Sequence, residues 1–144
     1  MIYPRIGIYS VSKAKMKIEI LGNPKPLKRH RTSKGKVYDP SFEDKTNFAW
    51  DVRTLTVGLF PHTESIKVEF EYHMPIPKSY SKKARLKAVG EPHQKKPDIS
   101  NLIKFTEDAL NEILWEDDSV IAEIKAKKIY SEEPKTIITV KKLR

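Results

Sequence analysis

At 144 residues, 38% hydrophobic and 33% charged, the chain has the size and make-up of one charge-rich globular domain with a real core. No apolar run approaches the length of a membrane span, no secretory pattern opens the sequence, and the absence of cysteine excludes disulfides and thiolate metal centres, which suits a cytoplasmic protein. With 28 Lys and Arg against 19 Asp and Glu, the net charge is +9, and an anionic partner is the first expectation.

Residues 15–21, KMKIEIL, alternate with Met16, Ile18 and Ile20 on one side, the period of a half-buried strand. The Pro-, Gly- and Lys-rich segment GNPKPLKRHRTSKGK follows, too polar to bury, and Val37-Tyr38 read as a short second strand. Ser41 with Asp44 has the form of a capping box, and apolar residues at Phe48, Ala49, Val52, Leu55 and Leu59 predict a helix ending near Gly58. Residues 66–74 alternate cleanly, with Ile66, Val68, Phe70, Tyr72 and Met74 on one face, and Pro75 and Pro77 stop the strand. A long basic segment, 78–96, contains SYSKKARLKAV, which reads as helical.

Pro97 leads into a second helix with a buried stripe of Ile99, Leu102, Ile103, Thr106, Leu110, Ile113 and Leu114; Asn101, Lys104 and Asp108 fall on the opposite arc. After Trp115 and a Glu116-Asp117-Asp118 turn, residues 120–130 and 136–143 predict two more strands. The order β-β-α-β-α-β-β predicts a single α/β domain (α+β-like), a mixed β-sheet with two main helices packed on it. That domain is placed at 16–144. Residues 1–15 form an N-terminal extension of uncertain role, dispensable unless Ile6 and Ile8 pack as an extra strand.

The charge is blocked rather than scattered. Residues 13–36 carry nine Lys or Arg and one Glu, and residues 78–96 carry seven and one; residues 97–118 invert to seven acids and one base, Lys104. Basic surfaces attract a polyanion, and carboxylates concentrated between them can hold a divalent cation against it. An amphipathic helix followed by an acidic turn explains the same residues without chemistry. Asp98 stands where a carboxylate caps a helix. It lies about twenty residues from Asp117 and Asp118, so they meet only if the chain folds back past the sheet or if two subunits contribute. Lys104 is placed to steady a phosphate, or simply to pair with Asp108 at i, i+4. His73 shares a strand face with Glu71, while His30, His62 and His93 lack ligand spacing. No Gly-rich phosphate loop or Ser-His-Asp pattern occurs.

The segment KPDISNLIKFTEDALNEILWEDDSVI resembles the signature of the RusA-type Holliday junction resolvases. That pattern runs Lys-Pro-Asp-x-Asp-Asn-Leu-x-Lys, then Asp-Ala-Leu, then an aromatic residue and Asp-Asp before the next strand. EYHMP at 71–75, the Pro- and Arg-rich loop at 25–31 and the basic stretch before Pro97 fit the same family, and the resemblance covers residues 16–142. It implies a homodimer of mixed α/β subunits that binds four-way DNA junctions and makes paired, Mg2+-dependent nicks in recombination and repair, with no membrane partner. The family's catalytic residues fall on Asp98, Lys104 and Asp118, and its metal ligands on Asp98, Asp117 and Asp118. The basic blocks supply the expected DNA face: Lys28, Arg29 and Arg31 from the first, and Lys82, Lys83, Arg85, Lys95 and Lys96 from the second.

Ser100 departs from the pattern, standing where the family has a second aspartate. The neutral hydroxyl removes a charge and a strong ligand, leaving contact with the metal through water unless Glu71 or Asp108 takes its place. Two readings follow: an active junction-resolving endonuclease, or a weakly active or non-catalytic junction-binding protein of the same fold. A ribosome-associated RNA-binding protein fits the charge but not the acidic motif.

Overall fold

The computed structural model describes the backbone of residues 7–12 and 15–143, with side chains from residue 15 onward. An inner strand of the sheet is β5 (Ile66–Pro75), counted fifth along the chain, whose Val68, Phe70, Tyr72 and Met74 are buried while Lys67, Glu69, Glu71 and His73 are half-covered. One face therefore meets the core, as the alternation in sequence predicts. The other strands are β1 (Gly7–Ser12), β2 (Lys15–Leu21), β6 (Ile121–Ser131) and β7 (Lys135–Lys142), in the spatial order β1-β2-β7-β5-β6. A separate two-stranded ribbon joins β3 (Arg31–Ser33) and β4 (Lys36–Tyr38). Three helices, α1 (Phe42–Leu55), α2 (Lys82–Ala88) and α3 (Ile99–Leu110), complete a mixed α/β domain, with a short 3-10 turn at Asp118–Val120.

All neighbouring strands in the large sheet pair antiparallel except β5 and β6, which are parallel. A parallel pair needs a long crossover, and the chain makes it through α2 and α3. Helix α3 lies on the buried face of β5. Leu102, Phe105, Thr106, Ala109 and Leu110 are buried, so the stripe includes Phe105 and Ala109 and leaves Ile99 and Ile103 at its margin. Phe105 meets Phe48 of α1 edge-on at 5.8 Å, and Trp115 packs against Phe70 at 6.5 Å. One buried polar contact fixes the rotation of α3. Thr106 Oγ1 donates to the Leu102 carbonyl at 2.9 Å, which leaves the Tyr72 hydroxyl as donor to Thr106 Oγ1 at 2.9 Å.

Helix α1 corrects two details of the sequence reading. It ends at Leu55, with Thr56 as its C-cap, rather than near Gly58. Ser41 stands at the N-cap but makes no side-chain cap bond, so the capping box does not form. Its buried hydroxyl instead accepts the Lys28 backbone N–H at 2.8 Å, because a loop carbonyl or hydroxyl must satisfy that amide where the chain crosses the helix end. The backbone of Gly7–Ser12 pairs with Lys15–Ile20 of β2 on the outer edge of the sheet, whereas Ile6 lies outside the described residues. Among the described residues no helix is long and apolar enough to cross a membrane.

Candidate active site

Both basic blocks are anchored at the first turn of α3. From one side, the Leu27 N–H donates to the Asn101 carbonyl at 3.0 Å, while Lys28 is held at Ser41. From the other side, residues 90–97 form a strap along the free edge of β6. The Gly90 and His93 amides donate to the carbonyls of Tyr130 and Lys128 at 2.9 and 3.1 Å, and the Tyr130 amide donates back to Glu91 at 3.0 Å. The strap is closed by a side chain the sequence did not single out. Lys128, on the helix-facing side of β6, donates from Nζ to the carbonyls of Lys95 and Pro97, both at 2.6 Å. Asp98 follows immediately as the N-cap residue of α3, in an extended conformation and without a side-chain cap bond. Its half-exposed carboxylate accepts from Lys96 Nζ at 3.0 Å. The carboxylate is therefore oriented outward by a lysine rather than spent on the helix end.

The other acids gather at the far end of α3. Ser100, Lys104 and Glu107 are spaced i, i+4 and i+7, which puts them on one side of the helix, with Asp108 adjacent. Partial burial first, then the carboxylates of Asp118 and Asp108, push the Glu107 pKa above its ordinary value, and Lys104 pulls in the opposite direction. Asp117 caps the 3-10 turn, accepting the Ser119 amide at 3.0 Å, and hydrogen bonds from the Ser119 side chain and amide hold its carboxyl below the ordinary range.

Nine residues of helix separate positions 98 and 107, about 13 Å along the axis. Asp98 thus stands at one end of α3 and Asp118, with Glu107, near the other. Among the described residues no three His, Asp or Glu side chains form a group able to hold a metal ion. Glu71 is not available here: it lies on the opposite face of the sheet, 3.3 Å from His73 Nε2 and 3.7 Å from Lys127 Nζ. Nor is Lys104 ion-paired with Asp108 among the described residues; the carboxylate that feels its charge is Glu107. In the second basic block, Lys82 and Lys83 are exposed on α2, whereas Arg85 bonds the Pro77 carbonyl and the Glu132 carboxylate, each at 3.1 Å. Arg85 therefore also ties α2 to the body. Arg29, Arg31, Lys95 and Lys96 are exposed.

Comparison with known proteins sets this arrangement in a lineage. Residues 19–141 match the family Endodeoxyribonuclease RusA. The chain belongs to that family. Among curated proteins, the "Uncharacterized protein YqaN" of Bacillus subtilis (strain 168) is 32% identical over 85 residues, covering 56% of this chain. The chain spans 60% of the length of that relative. The RusA match takes in α3, the acidic turn and both basic anchors. Its acidic residues present an all-oxygen donor set, which suits a hard divalent cation that needs only one or two carboxylates. A cation there would also relieve the crowding of Glu107 against Asp118.

That crowding is measurable without any activity. A carboxyl whose pKa is raised on folding destabilises the folded state once pH exceeds its ordinary value of 4.5, because it must ionise while partly buried and beside Asp118. Glu107→Gln is therefore expected to raise the thermal midpoint at pH 7 in metal-free buffer. The gain should shrink as pH falls and vanish below about pH 4.5. A gain independent of pH would place its cause outside this ionisation.

Proposed function

We propose that the chain is a structure-selective endodeoxyribonuclease that resolves four-way DNA junctions by paired, magnesium-dependent nicking, acting as a cytoplasmic homodimer in recombination and repair. The observation that carries this reading is the anchoring of two lysine- and arginine-rich segments on the first turn of α3, beside Asp98, on a chain of the RusA family. The active unit spans residues 16–144, and the preceding segment adds the edge strand β1 at Gly7–Ser12.

In this reading Lys28, Arg29, Arg31, Lys82, Lys83, Lys95 and Lys96 hold phosphates, and Arg85 adds charge while bracing α2. Asp98, with Ser100 through water, and Asp117 and Asp118 from the other end of α3 would hold the metal, and because one subunit keeps the two groups apart, a single ion would need them contributed by two subunits. Mg2+ held by these residues would supply an activated water at neutral pH and offset charge on the phosphate. Lys104 presents its ammonium to the charge that develops on the phosphate oxygens. A symmetric dimer provides two such sites for two opposed strands, and it offers a route for acids at the two ends of α3 to share a junction.

The deciding experiment is a nicking assay on a synthetic four-way junction, with and without Mg2+. Paired nicks confined to the junction and dependent on the metal support the reading. Equal cutting of linear duplex, or tight binding with no cutting at any Mg2+ concentration, removes it.

The second reading, a junction-binding protein with weak or no cleavage, draws on Ser100. Ser100→Asp separates the two. In an active site one ligand short, the new carboxylate is expected to lower the Mg2+ requirement and raise the nicking rate, because the cation offsets the added charge. Reduced activity would mean that another carboxylate already fills that position. An unchanged requirement and rate would put position 100 outside the metal's surroundings.

A further inference from the structure

The β3–β4 ribbon has no role in the sheet or the core. All of its six strand residues are exposed, and it is not hydrogen-bonded into the five-stranded sheet. Arg31 pairs with Tyr38, Thr32 with Val37 and Ser33 with Lys36. Between them Lys34 and Gly35 both have positive φ, 51° and 77°, the backbone form of a two-residue hairpin turn that keeps the strands twisted together. Residues 25–38 carry six Lys or Arg and no acid. An isolated ribbon of this size gains little stability from its own contacts, so its fixed shape must be imposed from its base. That base is clamped on both legs. Lys28 donates to Ser41 Oγ at 2.8 Å, and Asp39 Oδ1 accepts the Ser41 amide at 2.9 Å while its other oxygen pairs with Lys45 at 2.6 Å. Leu27 then ties the same base to α3 at Asn101.

We propose that this ribbon inserts into the major groove of one duplex arm of the DNA, with Lys34 and Lys36 at the tip, and so sets the distance between that arm and α3. This rests on the endonuclease reading for its substrate and adds how an arm is held. The dimensions agree. Two strands about 4.8 Å apart, with their side chains, match a groove about 12 Å wide, and three residues plus a turn, about 10 Å, match a depth of about 8.5 Å. The chemistry agrees as well: Arg31, Thr32, Ser33, Lys34 and Lys36 all donate hydrogen bonds to phosphates or to base-edge acceptors, and no carboxylate on the ribbon repels the backbone.

Binding is measured in EDTA, so that no cutting is needed, on three forms of one four-way junction. The first is ordinary DNA, the second carries glucosylated 5-hydroxymethylcytosine, which fills the major groove, and the third is saturated with netropsin, which fills the minor groove. Wild-type protein should lose about ten-fold or more in affinity on the glucosylated junction and little on the netropsin-bound one. Lys34→Ala with Lys36→Ala should weaken binding to ordinary DNA and reduce the log–log salt slope by at most about 1.8, the share of two ammoniums neutralising phosphates. Gly35→Val keeps every charge but strains the turn, and should weaken binding as well. Equal wild-type affinity for the ordinary and glucosylated junctions overturns the proposal, as does wild-type binding by Gly35→Val. The wild-type comparison decides the matter even if a variant folds poorly. Magnesium-dependent cutting, assayed separately, keeps the two ideas apart. Cutting with binding indifferent to groove filling sinks the ribbon alone, and groove-sensitive binding without cutting sinks the nuclease reading alone.

Discussion

Asp118→Asn and Asp98→Asn, made singly, are each expected to reduce nicking by at least about two to three orders of magnitude while leaving junction binding unchanged or tighter. That scale is typical for removal of one preorganised charge-stabilising group. Asn keeps the shape of Asp and removes its charge, so phosphate repulsion falls at the same time as the site loses a ligand. The two variants should differ in one respect. Asp118 crowds Glu107, so Asp118→Asn also lets the Glu107 pKa fall back toward its ordinary value. Among the described residues Asp98 is held by Lys96, so its replacement frees an exposed ammonium for DNA. Single-turnover rates with Mg2+ and binding in EDTA check both halves. Wild-type rates in both variants would remove these aspartates from the chemistry.

Lys128→Met is expected to lower stability by roughly 1.5–3 kcal/mol, the range for hydrogen bonds made by a charged group. Methionine preserves most of the apolar stem but cannot donate, leaving the Lys95 and Pro97 carbonyls to water. The loss should be local before it is global. Amide exchange should speed up at His93 and Asn101, on the strap and at the start of α3, more than in β7. Nicking should fall as well, because Asp98 is the residue after the released carbonyl. Arginine at the same position, which still donates, should recover much of both. An unchanged unfolding midpoint and exchange pattern in Lys128→Met would mean that water already serves these carbonyls.

Periodic elements were legible because their signal is local. The two-residue alternation of β5 and the apolar stripe of α3 each report a face, and the faces are where the sequence puts them. Ser41 misled because a serine hydroxyl satisfies whichever amide arrives, and here the Lys28 amide, thirteen residues back, arrives first. Lys128 was invisible for the same reason at longer range: its partners are backbone carbonyls 31 and 33 residues earlier, which have no residue signature. Glu107 could have been found. Its i+3 spacing from Lys104 is plain in the sequence, but its meeting with Asp118 depends on how tightly the chain turns after α3. The backbone pairing of Gly7–Ser12 with β2 lies outside the family motif and carries no functional signature.

The position of β7 bears on how the molecule is made. Residues 135–142 lie between β2 and β5, so the two halves of the sheet share no neighbour until that strand is present. Everything synthesised earlier can collapse or form helices, but the apolar faces of β2 and β5 stay open along one edge while the ribosome works. Such long-range closure is slow compared with local folding, and an open strand edge invites pairing with another chain. A ribosome stalled anywhere before residue 135 would therefore hold a nascent chain that is a target for chaperones, and folding should complete in a late, cooperative step as β7 slots into the gap.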